Sequence, residues 1–497
     1  MQARRWSGAT VYAPKLPPNH RAATSTGAIS LSLAASFIGI RRNSYEACGD
    51  SCAGRFSKGS SRCSRSQEVF CAALARMLHD ESFAAGARGG VRHEKMRTFA
   101  KPRYSTKVQL NAVVLDLGGM TTRAGWAGEN IPSAVFPSVV GGYRGGDEPD
   151  RGRQPLIETA LHELGAAPSE HPLLLSERVD APPRLREQTA ELVFEAVGAP
   201  ALCVARSPEL VAISAARTTA LILELGADTT NAVAVLEGTA SLRSVHSSPI
   251  TARQLVRKLA KMLEARHGDL WRARTEHRPV TSGTVGRSAP TVESGGERGS
   301  GVALGHSEAV MWLRSNEAFE AVARVADAKA LEPVEYALPD GRSISVAPDV
   351  QALPSIYFEC KHSQLPPSEP VAAPIWHLTL ASVLATEAEW HKELVRNVIL
   401  TGGASLLPGL PERLELELRQ AMRNVSKVAG HEVPSISSQA HRLGLLGAPH
   451  ERLHAAWLGG SILASMGTHT QIWMSRAEYD DHGAGLIARK GMDTQVF

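Results

Sequence analysis

Three apolar runs along the chain each end in a glycine turn, and they predict strands of a buried core. The runs and the glycines that follow them are Val113–Leu117 before Gly118 and Gly119, Leu221–Leu225 before Gly226, and Asn397–Thr401 before Gly402 and Gly403. A short apolar run that meets glycine is typical of a strand that turns tightly, so the first two runs predict hairpins. After the third, Pro408–Pro411 predicts the start of an amphipathic helix, because proline fits the first helical turn.

The chemistry of these turns suits a phosphate. Glycine has no Cβ, so backbone N–H groups can approach an anion and form a nest around it. Asp116, at the end of the first run, is placed to hold Mg²⁺ through its waters, and Arg123 adds positive charge. The third glycine pair is placed to face an adenosine. Each turn alone is also consistent with a plain structural turn, but their repetition favours a nucleotide cleft between two similar domains.

Several longer blocks of the chain resemble the actin superfamily. They are Arg123–Glu129, Val135–Gly141, His171–Glu177, Tyr336–Gly341, Glu451–Arg452, Trp457–Ser465, Gln471–Ser475 and Glu478–Asp480. The resemblance covers roughly residues 110 to 490, with gaps. It implies an α/β, actin-like two-domain fold (the fold shared by actin, Hsp70 and sugar kinases) around a nucleotide cleft, with reduced outer subdomains.

Shorter passages are similar to the nuclear branch of this superfamily, the actin-related protein 4 type. One is Val245–Ile250, which contains Ser-Ser-Pro-Ile, and another is the opening Asn111–Val114. Arg123 stands where actin has lysine, which keeps the charge but changes the geometry. The resemblance implies a structural subunit of chromatin-remodelling or histone-acetyltransferase complexes. Its implied partners are a large remodelling ATPase or scaffold subunit, together with actin and histones.

The second turn departs from the actin pattern at the positions that serve hydrolysis. Glu224 and Ala227 stand where actin has aspartates, and Ser207 stands where actin has the glutamine that orients the attacking water. Phosphoryl transfer depends on positioning and charge, so these losses predict little or no hydrolysis. Three interpretations remain open: ATP bound without turnover, a cleft without nucleotide, and a working ATPase. The rival to the nuclear subunit is accordingly a cytoplasmic actin-like ATPase of the cytoskeleton.

The resemblance therefore gives a set of candidate site residues but no catalytic one. The candidate cofactor-binding residues are Asp116, Gly118, Gly119, Met120, Thr121, Arg123, Gly226, Asp228, Thr229, Gly402 and Gly403. Asp116 is also the candidate metal ligand. ATP in a structural role and Mg²⁺ are the candidate cofactors.

Differences in length from actin predict changes in both outer subdomains. The segment from Phe136 to His171 is about half as long as the matching segment of actin, so much of the outer subdomain, including the loop that contacts a neighbour in filaments, is missing. This argues against filament growth. The alternative is that an incorrect gene boundary removed the segment. The predicted segments are a basic extension (1–108), the first half of the actin-like body (109–245), the start of its second half (246–274), a disordered insert rich in Ser, Thr, Gly and Arg (275–310), the rest of the second half (311–430) and a C-terminal segment that returns to the first domain (431–497). Helical character is predicted for Asn316–Leu331.

The basic charge of the chain lies in the extension. Residues 1–108 have 18 Lys or Arg and 6 Asp or Glu, a net +12, so the remainder carries −8 against a whole-chain charge of +4. This composition predicts a disordered tail that contacts nucleic acid or acidic partners; an organellar transit segment is the alternative.

The apolar run Ala28–Ile40 has 13 residues, too few to span a bilayer, so no membrane partner is predicted. Ser66–His79 predicts one amphipathic helix. The expected location is the nucleus, with the cytoplasm as the alternative.

Overall fold

The structure, a computed structural model, describes residues 111–140, 143–144, 149–272, 306–338, 341–359, 373–466 and 470–490. The basic extension, its amphipathic helix at Ser66–His79 and most of the 275–310 insert lie outside the described residues. In the parts of the chain that are described, every helix is too short or too polar to cross a lipid bilayer.

Sixteen strands are described, and most belong to two mixed sheets. They are β1 (Val113–Leu117), β2 (Thr121–Trp126), β3 (Ala134–Pro137), β4 (Val139–Val140), β5 (Tyr143–Arg144), β6 (Leu173–Glu177), β7 (Ala201–Arg206), β8 (Ala220–Leu225), β9 (Thr230–Leu236), β10 (Thr239–Ala240), β11 (His246–Ser248), β12 (Val334–Ala337), β13 (Ser343–Val346), β14 (Val398–Thr401), β15 (Leu445–Leu446) and β16 (Met474–Ser475). The first sheet has the order β16-β7-β6-β1-β2-β3, and the second has the order β10-β9-β8-β14-β15 with β11 beside β9. The predicted α/β fold on two sheets is confirmed.

The described helices pack around these sheets. They are α1 (Pro149–Leu164), α2 (Pro183–Glu191), α3 (Ser207–Ser214), α4 (Ala252–His267), α5 (Asp269–Arg272), α6 (His306–Val322), α7 (Pro348–Gln351), α8 (Ile375–Leu384), α9 (Ala388–Leu394), α10 (Leu410–Arg423), α11 (Ser426–Ala429), α12 (Pro434–Ser437), α13 (Pro449–Ser465) and α14 (Arg476–His482). A π-helical turn, Leu192–Val197, follows α2 directly.

The central strands are buried on both faces, which explains why they read as continuous apolar runs. Val113 and Leu115 of β1 face one apolar cluster, whereas Val114 between them faces another. In β8, Leu221 and Leu223 likewise face a different cluster from Ile222. The alternation follows from the period of two along a strand. Each sheet is therefore a middle layer between two apolar cores.

Helices α3 and α13 connect the two sheets. Leu210 of α3 and Trp457 of α13 pack against the first sheet, and Val211 and Ala455 of the same helices pack in the cluster against the second. The helices approach closely at Gly459, where an added Cβ would lie 1.8 Å from the carbonyl oxygen of Leu210. Glycine is required here because any side chain would collide with the backbone of α3.

Two helix predictions have different outcomes. The helix predicted after Pro408 is confirmed as α10, whose apolar face buries Leu410, Leu414, Leu418 and Met422. The helix predicted over Asn316–Leu331 is found earlier, as α6, which begins at His306 inside the segment predicted to be a disordered insert. It ends at Val322 because the next backbone N–H groups bond elsewhere: that of Arg324 donates to Gln351 O at 2.9 Å, and that of Val325 to Pro408 O at 2.8 Å.

The sheets divide the chain earlier than the predicted segment boundary at residue 245. The second sheet begins with β8 at Ala220, and β8 pairs in parallel with β14, about 175 residues further along the chain. The last strand, β16, pairs antiparallel with β7 of the first sheet. The two glycine hairpins therefore belong to different sheets.

Candidate functional site

The first glycine turn joins β1 to β2 in an antiparallel hairpin. Asp116 and Arg123 lie opposite each other in this pair. A Cβ on Gly118 would lie 2.7 Å from the carbonyl oxygen of Thr121, so this glycine is needed for the turn itself. The carbonyl oxygen of Met120 accepts a hydrogen bond from Ser138 N at 2.9 Å. The side chain of Met120 packs against the apolar cluster around the second sheet. The hairpin is thus held by backbone contacts and by packing against the cluster of the second sheet.

Asp116, the candidate metal ligand, is bonded through both carboxylate oxygens. Oδ2 accepts from Nη1 of Arg123 at 3.0 Å, and Oδ1 accepts from Oγ of Ser176 at 2.6 Å. Arg123 also donates through Nε to Nδ1 of His454 at 3.1 Å. Burial, with the neighbouring guanidinium, lowers the pKa of His454 and so favours the neutral ring that this bond needs. Arg123, predicted to face a phosphate, contacts the side chains of Asp116 and His454.

The second glycine turn joins β8 to β9, and Glu224, the acid before it, is half-buried. Oγ of Ser207, the first residue of α3, donates to Oε1 of Glu224 at 3.2 Å. Burial raises the pKa of Glu224 to about 7, with a further contribution from the negative charge of Asp116. Burial thus favours the protonated form of this carboxyl more than in an ordinary glutamate.

The tips of the two turns touch each other. A Cβ on Gly119 would lie 1.9 Å from Oδ2 of Asp228, so the Asp228 carboxylate rests against the first turn. The guanidinium of Arg253, at the start of α4, contacts this carboxylate and also donates to Gly119 O at 2.7 Å. Within the second turn, Gly226 N donates to Thr229 O at 2.8 Å. The structure therefore brings the first two predicted turns together.

The third turn follows β14 and its two glycines differ. Gly402 has φ +91°, and a Cβ there would lie 2.4 Å from the carbonyl oxygen of Leu225 at the end of β8. Its N–H donates to Arg452 O at 3.2 Å. A Cβ on Gly403 would meet no atom within 4 Å. Packing explains Gly402, whereas Gly403 borders open space where an adenosine was predicted.

A magnesium triphosphate does not fit these residues as they lie. Each oxygen of Asp116 already accepts a hydrogen bond from the chain, and the ion pair of Asp228 with Arg253 lies against Gly119 of the first turn, where phosphates were predicted. Among the described residues, no three His, Cys, Asp or Glu side chains converge as a metal site. The prediction of ATP and Mg²⁺ thus gains no support from the geometry of the turns.

Sequence reasoning missed three residues that shape the site: Ser176, Arg253 and His454. Each is distant in sequence from the group it contacts. Ser176 is 60 residues from Asp116, Arg253 is 134 residues from Gly119, and His454 is 331 residues from Arg123. One sequence feature could have indicated Arg253. It is a basic residue at the start of an amphipathic helix, a position where the helix dipole favours acidic residues.

An open cavity of about 570 Å³ lies apart from the turns, beside α8, α9 and α11. Its lining includes His377, His391 and His431 but none of the candidate site residues. His391 is engaged at both ring nitrogens, with Ser435 Oγ at 2.9 Å and Thr386 O at 3.0 Å. This cavity is therefore not part of the candidate site.

Comparison with known proteins agrees with the resemblance found in the sequence. Residues 107–154 and 152–492 match the sequence model of the Actin family. The chain is similar to actin-related protein 4 of Oryza sativa subsp. indica, with 28% identity over 77% of this chain and 98% of the relative. It is also similar to actin-related protein 4 of Arabidopsis thaliana, with 26% identity over the same shares of the two chains.

Proposed function

Since the chain belongs to the actin family, we propose that it serves as a non-filamentous structural subunit of a nuclear chromatin-remodelling or histone-acetyltransferase complex. Among the members of that family it is an actin-related protein similar to the actin-related protein 4 type. The observation that carries the proposal is the state of the second turn, where the groups that would serve hydrolysis are absent or bound to one another.

Three features of that turn support a protein that does not turn over ATP. The Ser207 side chain is too short to reach far into a cleft. Its hydroxyl donates a hydrogen bond to Glu224 at 3.2 Å. Burial raises the pKa of Glu224 to about 7, so in the metal-free protein this carboxyl carries less negative charge near neutral pH than an ordinary glutamate. Ala227 offers no polar group. A hydrolase needs a positioned water and fixed charge around the phosphates, so any ATP bound here stays largely uncleaved.

The proposed partners are a large remodelling ATPase or scaffold subunit, with actin and histones in the same assembly. The described body supports this proposal, because α3 and α13 lock the two sheets together through packing at Gly459. A rigid part suits a subunit that holds others in place. Contact with nucleic acid is assigned to the basic segment 1–108, with its net charge of +12.

Affinity purification of the tagged full chain from nuclear extract tests this proposal. Nuclease treatment beforehand removes proteins held only through DNA, and a parallel cytoplasmic extract serves as the control. The expected result is recovery of a remodelling ATPase or an acetyltransferase scaffold from the nuclear extract alone. Recovery of cytoskeletal proteins from the cytoplasmic extract, with no remodelling subunit from the nuclear one, would refute it.

A further inference from the structure

The two glycine turns are joined by three residues, Gly119, Asp228 and Arg253, which we call the cleft clasp. Arg253 binds the Asp228 carboxylate through Nε and Nη2, the latter at 2.9 Å from Oδ2. The same Nη2 donates to Gly119 O at 2.7 Å. One guanidinium thus ties the hairpin of the second sheet to the hairpin of the first, 134 residues away in sequence.

Arg253 is fixed in this position by its backbone as well as by its side chain. The N–H groups of Ala252 and Arg253, in the first turn of α4, donate to Gly226 O at 3.2 Å and Ala227 O at 3.0 Å. Arg253 is only 7% exposed. An arginine held at both ends loses little further conformational entropy when it binds, so the clasp is pre-organised.

The carboxylate in the clasp lies beside the first of the two glycine turns to which the sequence assigns a phosphate. It lies between two glycine turns and faces a cation, and a Cβ at Gly119 would be 1.9 Å from its Oδ2 and 3.2 Å from Cβ of Ala227. We propose that Asp228 is an internal substitute for the phosphates of a nucleotide. With Arg253 as its counter-ion, it closes the two turns on each other and excludes nucleotide phosphates from them. The proposal concerns the cleft alone and does not depend on the complex in which the chain works.

Asp228→Asn, compared with Asp349→Asn, tests this inference in the full chain. Asparagine has the shape of aspartate but removes the charge that repels a phosphate. Asp349 is the matched control, because it forms a two-point ion pair with Arg266, which lies on α4 like Arg253. Asp349 is half exposed and lies outside the clasp. Titration calorimetry with magnesium ATP, and separately with inorganic triphosphate, measures binding. Thermal unfolding with and without each ligand measures closure.

The expected result is that Asp228→Asn lowers the unfolding midpoint and binds both ligands at least about tenfold more tightly than the wild type, about 1.4 kcal/mol. The ligands should then raise its midpoint, whereas the wild type and Asp349→Asn should respond to neither. The inference is overturned if Asp228→Asn binds the ligands no better than the wild type. If that variant does not fold, the wild type decides alone: a dissociation constant for magnesium ATP below about 10 μM, about −7 kcal/mol, would show that the turns already accept phosphates.

Discussion

Replacing Glu224 with glutamine should stabilise the protein at and above neutral pH. Glu224 is half-buried near the end of β8, and Oγ of Ser207 donates to its side chain at 3.2 Å. Burial and the negative charge of Asp116 raise its pKa from the ordinary 4.5 to about 7. Glutamine keeps an oxygen for the Ser207 hydroxyl and carries no charge at any pH.

The size of the effect follows from the two pKa values of Glu224. They differ by about 2.5, and each pH unit corresponds to about 1.4 kcal/mol, so the ionised side chain costs up to about 3 kcal/mol of folding free energy. Because the folded pKa is the higher one, the favourable protonated state is fully present below pH 4.5 and is lost as the pH rises through 7. The advantage of Glu224→Gln should therefore grow by about 2 kcal/mol between pH 5 and pH 8.

Urea unfolding at pH 5 and pH 8, followed by tryptophan fluorescence, measures this difference, and Glu177→Gln is the matched comparison. Glu177 is also a buried glutamate, but its carboxylate lies 2.6 Å from Nε of Arg186. Burial raises the pKa of Glu177 as well, partly offset by Arg186, but Glu177→Gln also takes this ion pair from a buried guanidinium and should destabilise the protein by about 3 kcal/mol. Equal effects of the two substitutions, or a Glu224→Gln advantage that does not change with pH, would refute the reasoning.

Two further predictions concern α13. Gly459→Ala places a Cβ 1.8 Å from Leu210 O, so it should cost about 2 kcal/mol of unfolding free energy even after the gain in helix propensity. Gly460→Ala meets side-chain methyl groups at 2.8 Å or more and should cost less; the reverse order in urea unfolding would contradict this packing. Trp457→Phe removes the 3.0 Å hydrogen bond from Nε1 to Val114 O, so thermal unfolding should show a loss of about 1 kcal/mol or more, and an unchanged midpoint would be inconsistent with that bond.

The sequence was a good guide wherever the determinants are local. The apolar runs before Gly118 and Gly226 predict β1 and β8, because burial on both faces and a tight turn leave a pattern within a few residues. The start of α10 is predictable for the same reason, through Pro411 and the spacing of its buried leucines. The end of α6 was missed because it depends on carbonyl groups far along the chain.

The site was harder to predict than the fold because its contacts are long-range. Nothing near Asp116 in sequence indicates that Ser176 donates to its carboxylate. The burial that raises the pKa of Glu224 comes from surrounding layers and has no local signature. The contact of Asp228 with Gly119 depends on how two sheets approach each other. Residue types at the turns thus predicted an anion site, whereas the position of the Asp228 carboxylate against Gly119 is visible only in the fold.

The central claim is that this cleft works without turning over a nucleotide, and phosphate release from magnesium ATP by the purified full chain tests it most directly. We expect no release above that of the buffer, because the turns are closed by Asp228 and Arg253 and the hydroxyl of Ser207 is bound to Glu224. Release that is present in the wild type and disappears in Asp116→Asn would contradict the claim.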